Sequence, residues 1–201
     1  MRAFIAVDLD ESLRIALGRI QDPLRDIAPR LRFVAPEAMH VTVKFLGEID
    51  DRVVSDITAR LDAIASETRT FDFDLSGLGA FADRRERIRV VFAGVDDIDD
   101  RLSELAGELD VALAGVGVPP GARPFHPHLT LARSRQPVRL PEVSDFIAKN
   151  AARQIGVQHV DRLVLYESTL GKSGPGYRTV STHRLEGSSP LDSTNASTQR
   201  E

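Results

Sequence analysis

The sequence predicts a fold of strands and helices in which one unit is used twice, its two halves meeting around a single cleft. Three observations carry this. Apolar residues recur with period two in some stretches and with helical spacing in others. The order strand, helix, strand, helix, strand reads twice along the chain. The middle strand of each reading carries the same pattern, His-x-Thr-x, at His40-Val41-Thr42-Val43 and again at His128-Leu129-Thr130-Leu131. The spacing agrees: Phe4 precedes His40 by 36 residues, and Val91 precedes His128 by 37. A long unit met twice points to duplication, because a solenoid needs more copies of a shorter repeat.

In order, Phe4 to Val7 reads as a strand, and Glu11 to Ile27 as a helix with Leu13, Leu17, Ile20, Leu24 and Ile27 on one face, kinked or split at Pro23. Leu31 to Val34 is a short extended piece, Pro36-Glu37 a turn, and Met39 to Phe45 the first motif strand, closed by Gly47. Asp51 to Ala65 gives a second helix, and Phe71 to Leu75 alternates as a half-buried strand before the chain bends near Gly77 and Gly79 towards Phe81. The second reading runs from a strand at Ile88 to Ala93, through a helix at Ile98 to Leu113 and a Gly/Pro-rich loop at Gly115 to Gly121, into the second motif strand. A short helix at Pro141 to Ala152, a strand at Val160 to Glu167 and a last strand around Tyr177 to His183 complete it. Residues 187 to 201, rich in Ser and Thr, are too poor in apolar surface to order themselves and read as a disordered tail after one domain spanning residues 1 to 186.

Composition narrows the function. With 201 residues, 42% hydrophobic and 28% charged, the chain can bury a substantial core. The absence of cysteine excludes disulfides and thiolate zinc sites and fits a reducing cytoplasm. The first apolar run breaks at Asp8, too soon for a signal peptide or a membrane span. A net charge of -4 argues against sequence-blind duplex binding, which needs a broad basic surface. Gly121 to Arg139, however, holds Arg123, Arg133, Arg135 and Arg139 with no acid among them, and it encloses the second motif. Such a run is often only a solvated loop; beside a phosphate site it becomes local attraction for an anion.

In a strand, residues two apart share a face, so each motif presents an imidazole beside a hydroxyl. Acid–base chemistry on a phosphate ester needs a base for the nucleophile, an acid for the leaving oxygen and donors for the phosphoryl oxygens. Two imidazoles and two hydroxyls supply these, since an unperturbed histidine pKa near about 6.5 lets one ring be neutral and the other protonated. Lys44, at an even offset, is expected to share the face of His40 and Thr42. Arg133, at an odd offset from His128, needs a bend or bulge to reach it. His126 and His128 lack a third metal ligand nearby, with Pro127 between them, so no metal is expected. His159 and His183 read as ordinary strand residues. Gly171 to Tyr177 lacks the spacing of a nucleotide phosphate loop and reads as a mobile rim hairpin with Tyr177 available to stack on a base.

Both motifs, the opening Met1-Arg2-Ala3-Phe4-Ile5-Ala6-Val7, the segment Gly77-Leu78-Gly79-Ala80-Phe81 and the strand end Leu165-Tyr166-Glu167-Ser168 resemble the two-histidine phosphoesterase superfamily, in particular its LigT-like RNA 2',3'-cyclic phosphodiesterases. The resemblance spans roughly Met1 to Leu185. It implies an α+β fold, bilobal and duplicated, with two antiparallel sheets flanking a central cleft and helices outside. It further implies a metal-independent hydrolase without cofactor, in which His40 donates a proton, His128 accepts one, and Thr42 and Thr130 bind the phosphate. Lys44, Arg133 and Tyr177 are the candidate RNA contacts. The expected partner is RNA ending in a 2',3'-cyclic phosphate, such as a tRNA fragment, or a small cyclic nucleotide, acted on by a monomer with no membrane association. Reversible 2',5' ligation of RNA is the near alternative, and a non-catalytic module that binds RNA ends is the alternative of another class. One departure stands out: Arg32-Phe33-Val34 occupies a place where the family commonly carries tryptophan, and this chain has none.

Overall fold

The computed structural model describes residues 1–171 and 174–186. Its strands are β1 (Arg2–Asp8), β2 (Arg32–Phe33), β3 (His40–Glu48), β4 (Phe71–Ala82), β5 (Ile88–Asp96), β6 (His128–Val138), β7 (Gln154–Val160), β8 (Arg162–Gly171) and β9 (Gly174–Arg184). Its helices are α1 (Glu11–Ile27), α2 (Val54–Glu67), α3 (Arg101–Ala114) and α4 (Pro141–Lys149), with 3-10 turns at Pro36–Ala38 and Asp51–Val53. The predicted tail and the tip of the predicted rim hairpin, residues 172–173, lie outside the described residues.

Every strand pairing among the described residues is antiparallel, and the strands form one sheet in the order β7-β4-β5-β6-β3-β1-β8-β9, with β2 added against β6. The two sheets expected are thus continuous, but barely: β3 and β6 meet through a single residue pair, Val41 with Leu129. Beyond that seam the strands part, and β2 takes the free edge of β6 at Arg133 and Ala132.

Helix α1 forms over the predicted span with Leu13, Leu17, Ile20 and Leu24 all buried, but Ile27, at its last residue, is exposed. It runs unbroken through Pro23, which is exposed, so the Arg19 carbonyl that it leaves unpaired faces water. Gln21 is fully buried within the apolar stripe, and its amide donates to the carbonyls of Val34 (2.8 Å) and Leu131 (2.9 Å) while its oxygen accepts from Arg25. Losing those bonds would leave buried carbonyls unsatisfied, at about 1–3 kcal/mol each. Phe33, where the family commonly has tryptophan, lies under the Arg25 guanidinium (4.5 Å) in a small apolar cluster with Leu24 and Ala132.

The reading by period missed β7, and the reason is physical. In Gln154–Val160 the buried position includes a polar residue, Gln158, and an exposed one is apolar, Val157. Gln158 satisfies itself by accepting from the Asp10 N–H and donating to the His159 carbonyl. His159 is an edge-strand residue paired with Asp72, whereas His183 is not ordinary: it is buried, bonded through Nδ1 to Asp62 (2.5 Å) and through Nε2 to the Ser181 hydroxyl (2.8 Å), joining β9 to α2. Phe71–Ala82 is one long strand, bulged at Gly77, where φ is 65° and a Cβ would strike the Ala151 carbonyl.

Candidate active site

A regular strand would carry His40, Thr42 and Lys44 on one face, but both motif strands break that rule in the same way. In β3, Ala6 pairs with Thr42 and Ile5 with Lys44, leaving Val43 as an extra residue. In β6, Phe92 pairs with Thr130 and Val91 with Ala132, leaving Leu131 extra. Such a bulge shifts the alternation by one. Val43 and Lys44 therefore both turn to the core, as do Leu131 and Ala132, and Phe45 and Arg133 arrive on the face of the motif side chains.

The resulting cleft is lined by His40, Thr42, Phe45, His128, Thr130 and Arg133, with Tyr177, Val34 and Ala38 at its edge. Antiparallel register through Val41 and Leu129 sets His40 across from Thr130 and Thr42 across from His128. Each hydroxyl is thus placed across the seam from the imidazole of the other motif. Arg133 donates to the Thr130 hydroxyl oxygen (3.3 Å), which leaves that hydroxyl's own proton free.

Both imidazoles are held by one device. His40 Nδ1 lies 2.9 Å from the Ala38 carbonyl, and His128 Nδ1 lies 2.8 Å from the His126 carbonyl. A carbonyl only accepts, so each Nδ1 carries hydrogen, and Nε2 is the nitrogen left for chemistry. Aromatic rings fix the planes: Phe4 stacks on His40 at 4.8 Å and Tyr177 meets it edge-on at 5.2 Å, while Phe81 and Phe92 pack against His128 at 4.8 and 5.6 Å. Gly79 makes room for this, since a Cβ there would collide with the Phe92 ring. Burial pushes the His40 pKa down from 6.5 to about 4, against the raising influence of the Ala38 carbonyl and of Asp8. Burial also lowers that of His128, helped by the neighbouring His126 and Arg133 and opposed by its carbonyl partner. Both shifts favour the neutral ring.

Of the residues predicted from the sequence, the structure brings His40, Thr42, His128, Thr130, Arg133 and Tyr177 together and removes Lys44. Lys44 is 5% exposed, on the opposite face of β3, where its ammonium pairs with Asp110 of α3 and donates to the Pro119 carbonyl. The Val43 bulge is the cause of this correction. The other arginines of the basic stretch do not line the cleft, and Arg139 pairs with Glu86. The residue missed was Phe45, 64% exposed beside the motif. The odd offset recognised for Arg133 was the available signal, because the same bulge in β3 exchanges Lys44 for Phe45. Among the described residues no group of three or more His, Asp or Glu side chains is placed to hold a metal ion. A separate hollow of about 480 Å³ between α3 and residues 121–125 contains neither histidine.

Residues 7–92 and 94–177 match the family model described as LigT like Phosphoesterase. A relative from Methanothermobacter thermautotrophicus, named RNA 2',3'-cyclic phosphodiesterase, is 33% identical over 92% of this chain and 99% of its own length. The crystal structure of a Thermus thermophilus protein shares the fold with a TM-score of 0.79 and 29% identity, covering 94% of this chain and 100% of that one. The crystal structure of E. coli LigT complexed with 3'-AMP gives a TM-score of 0.73 and 25% identity, over 92% of this chain and 97% of that one. The family match takes in both His-x-Thr strands, and the chain belongs to the LigT-like phosphoesterases.

Proposed function

We propose that the protein is an RNA 2',3'-cyclic phosphodiesterase that opens a terminal cyclic phosphate to a 2'-phosphate without a metal. The observation that carries this is the paired tethering of His40 and His128, each by Nδ1 to a carbonyl two residues upstream, on strands that share one cleft. His128 Nε2 takes a proton from the attacking water, the new P–O bond forms, and the P–O3' bond breaks as His40 gives its proton to the 3' oxygen. The Thr42 and Thr130 hydroxyls and the Arg133 guanidinium hold the non-bridging oxygens. His40 must be protonated before transfer, and the bound phosphate anion favours this by offsetting the burial that lowers its pKa. The relatives' printed name supports the substrate.

The same reading takes residues 1–186 as one bilobal, duplicated domain. In support, the strand order outward from the seam is β3-β1-β8-β9 one way and β6-β5-β4-β7 the other, and bulge and Nδ1 tether recur in both motifs. Because one chain supplies both motifs, the site needs no second copy, which favours a monomer.

The test is incubation, in excess chelator, with an oligonucleotide ending in a 2',3'-cyclic phosphate. A 2'-phosphate product is expected, with loss of at least about a hundredfold in turnover for His40→Ala and for His128→Ala. Full turnover by both variants, or strict dependence on added metal, refutes the mechanism.

A further inference from the structure

The cleft is not electrically even. Arg133 stands on its β6 side, whereas on the His40 side a recess of about 430 Å³ opens between β1, the Pro36–Ala38 turn, β8 and β9. This recess shares Ala38, His40 and Tyr177 with the catalytic cleft, so a molecule whose phosphate meets His40 extends directly into it. The carboxylates of Asp8 and Glu37 line it beside the hydroxyls of Tyr166 and Thr179, and among the described residues no lysine or arginine does. The Asp8 carboxylate takes the Tyr166 hydroxyl on Oδ1 (2.6 Å), which leaves Oδ2 to accept more. Glu37 is exposed and has no hydrogen bond or ion pair among the described residues. Its position is nevertheless defined, because Arg14 donates to the Leu9 and Pro36 carbonyls and so ties the Glu37 turn to the start of α1. Tyr177 supplies an aromatic wall.

Two carboxylates disfavour a phosphate, so the recess suits a base better than the RNA backbone. The volume falls within the range of small-molecule sites and accommodates a purine. What carboxylates accept is an edge rich in N–H donors, and among nucleobases guanine presents the best one, N1–H beside N2–H2, which can meet a carboxylate with two parallel bonds. Adenine and cytosine offer one amino group each. Uracil sets its single N3–H between two carbonyl oxygens, which face the carboxylates unfavourably.

We propose that this recess is the subsite for the base of the nucleotide bearing the cyclic phosphate, and that Asp8 and Glu37 make it select guanine. The proposal rests on the cyclic phosphodiesterase reading for its placement of the phosphate, but it can be tested apart from turnover.

Four oligonucleotides identical except for a 3'-terminal G, A, C or U cyclic phosphate are compared by kcat/KM. The G-ended substrate should exceed the U-ended one about tenfold or more, the discrimination expected of a bidentate base contact. Glu37→Gln should narrow that ratio several-fold, and Glu37→Lys should abolish it. Calorimetric binding of 2'-GMP and 2'-UMP reads the recess without catalysis, with about tenfold tighter 2'-GMP expected. Equal kcat/KM for all four ends, or equal affinity for the two nucleotides, overturns the subsite while leaving the hydrolytic reading intact. Tighter 2'-GMP with no hydrolysis of any oligonucleotide supports the subsite and overturns the hydrolytic reading. A G preference unchanged in both Glu37 variants also overturns the assignment.

Discussion

Replacing Asp110 with alanine should cost far more than replacing its partner. The Lys44 side chain is 4% exposed and that of Asp110 35%, so the carboxylate keeps water while the ammonium does not. Asp110→Ala leaves a buried cation with only the Pro119 carbonyl, 3.2 Å away. Removing one partner of a fully buried pair costs about 3–5 kcal/mol, and the wetter carboxylate reduces this to about 2–4 kcal/mol. For a domain of this size that corresponds to a fall in Tm of about 5–15 °C. Lys44→Met instead removes the cation, fills the space with a chain of similar length, and leaves Asp110 accepting the Gly121 N–H, at a cost of about 1 kcal/mol or less. Adding Asp110→Ala to Lys44→Met should then cost little more, so the double-mutant cycle shows strong coupling. Burial tends to raise the Asp110 pKa, but the Lys44 and Gly121 bonds outweigh it and the net shift is downward. The stabilisation is therefore complete at neutral pH and disappears as acid titrates Asp110 through its lowered folded-state pKa. The assay is denaturant and thermal unfolding of the three variants, with turnover measured alongside. Equal losses for the two single variants would refute the asymmetry. A fall in RNA affinity with a smaller salt dependence in Lys44→Met would show that Lys44 reaches RNA after all.

Other outcomes are expected at the site itself. Because both imidazole pKa values are lowered, kcat/KM, which reports the free enzyme, should peak below pH 6.5, with the alkaline limb of kcat displaced upward once phosphate is bound; an alkaline limb of kcat/KM above 7 would contradict the shifts. The same shift at His40 makes the fold less stable as pH falls from 6.5 to 4, by about 3 kcal/mol, because only the unfolded ring takes up a proton there, and His40→Asn should flatten that slope in urea titrations. Arg133→Gln should lower kcat/KM about 10- to 100-fold by removing a donor from the phosphate and from Thr130, with melting unchanged because the side chain is exposed; unchanged kinetics would exclude it from the site. Gly79→Ala should displace the Phe92 ring from His128 and cost about 1–3 kcal/mol, read as a lower Tm together with reduced turnover.

The motifs and their strand setting were legible because alternation and helical period report burial directly. Helix α1 matches its predicted bounds for that reason, as its apolar stripe is interrupted only by Gln21. Pairing across the seam was not legible, since it depends on which distant strands meet. Nor were the two bulges, which are set by register against β1 and β5 and not by local sequence. Those bulges decide the fates of Lys44 and Phe45. Strand β7 was hidden because its inward glutamine is satisfied by a backbone N–H 148 residues away. Acidic character next to His40 was equally invisible, because Asp8 and Glu37 come from separate elements.

The pair at Val41 and Leu129 acts as one rivet among several: the Lys44–Asp110 ion pair, the Val34–Leu131 bond and the buried Gln21 amide also tie the strand of His40 to that of His128. Each imidazole is gripped by a carbonyl from its own approach to its own strand, Ala38 for one and His126 for the other, so each ring is oriented from within its own motif. The ties across the seam set the gap between the two rings, while the carbonyl tethers set their tilt. Spacing and orientation of acid and base are thus set by separate groups of bonds, so a substitution can disturb one and spare the other.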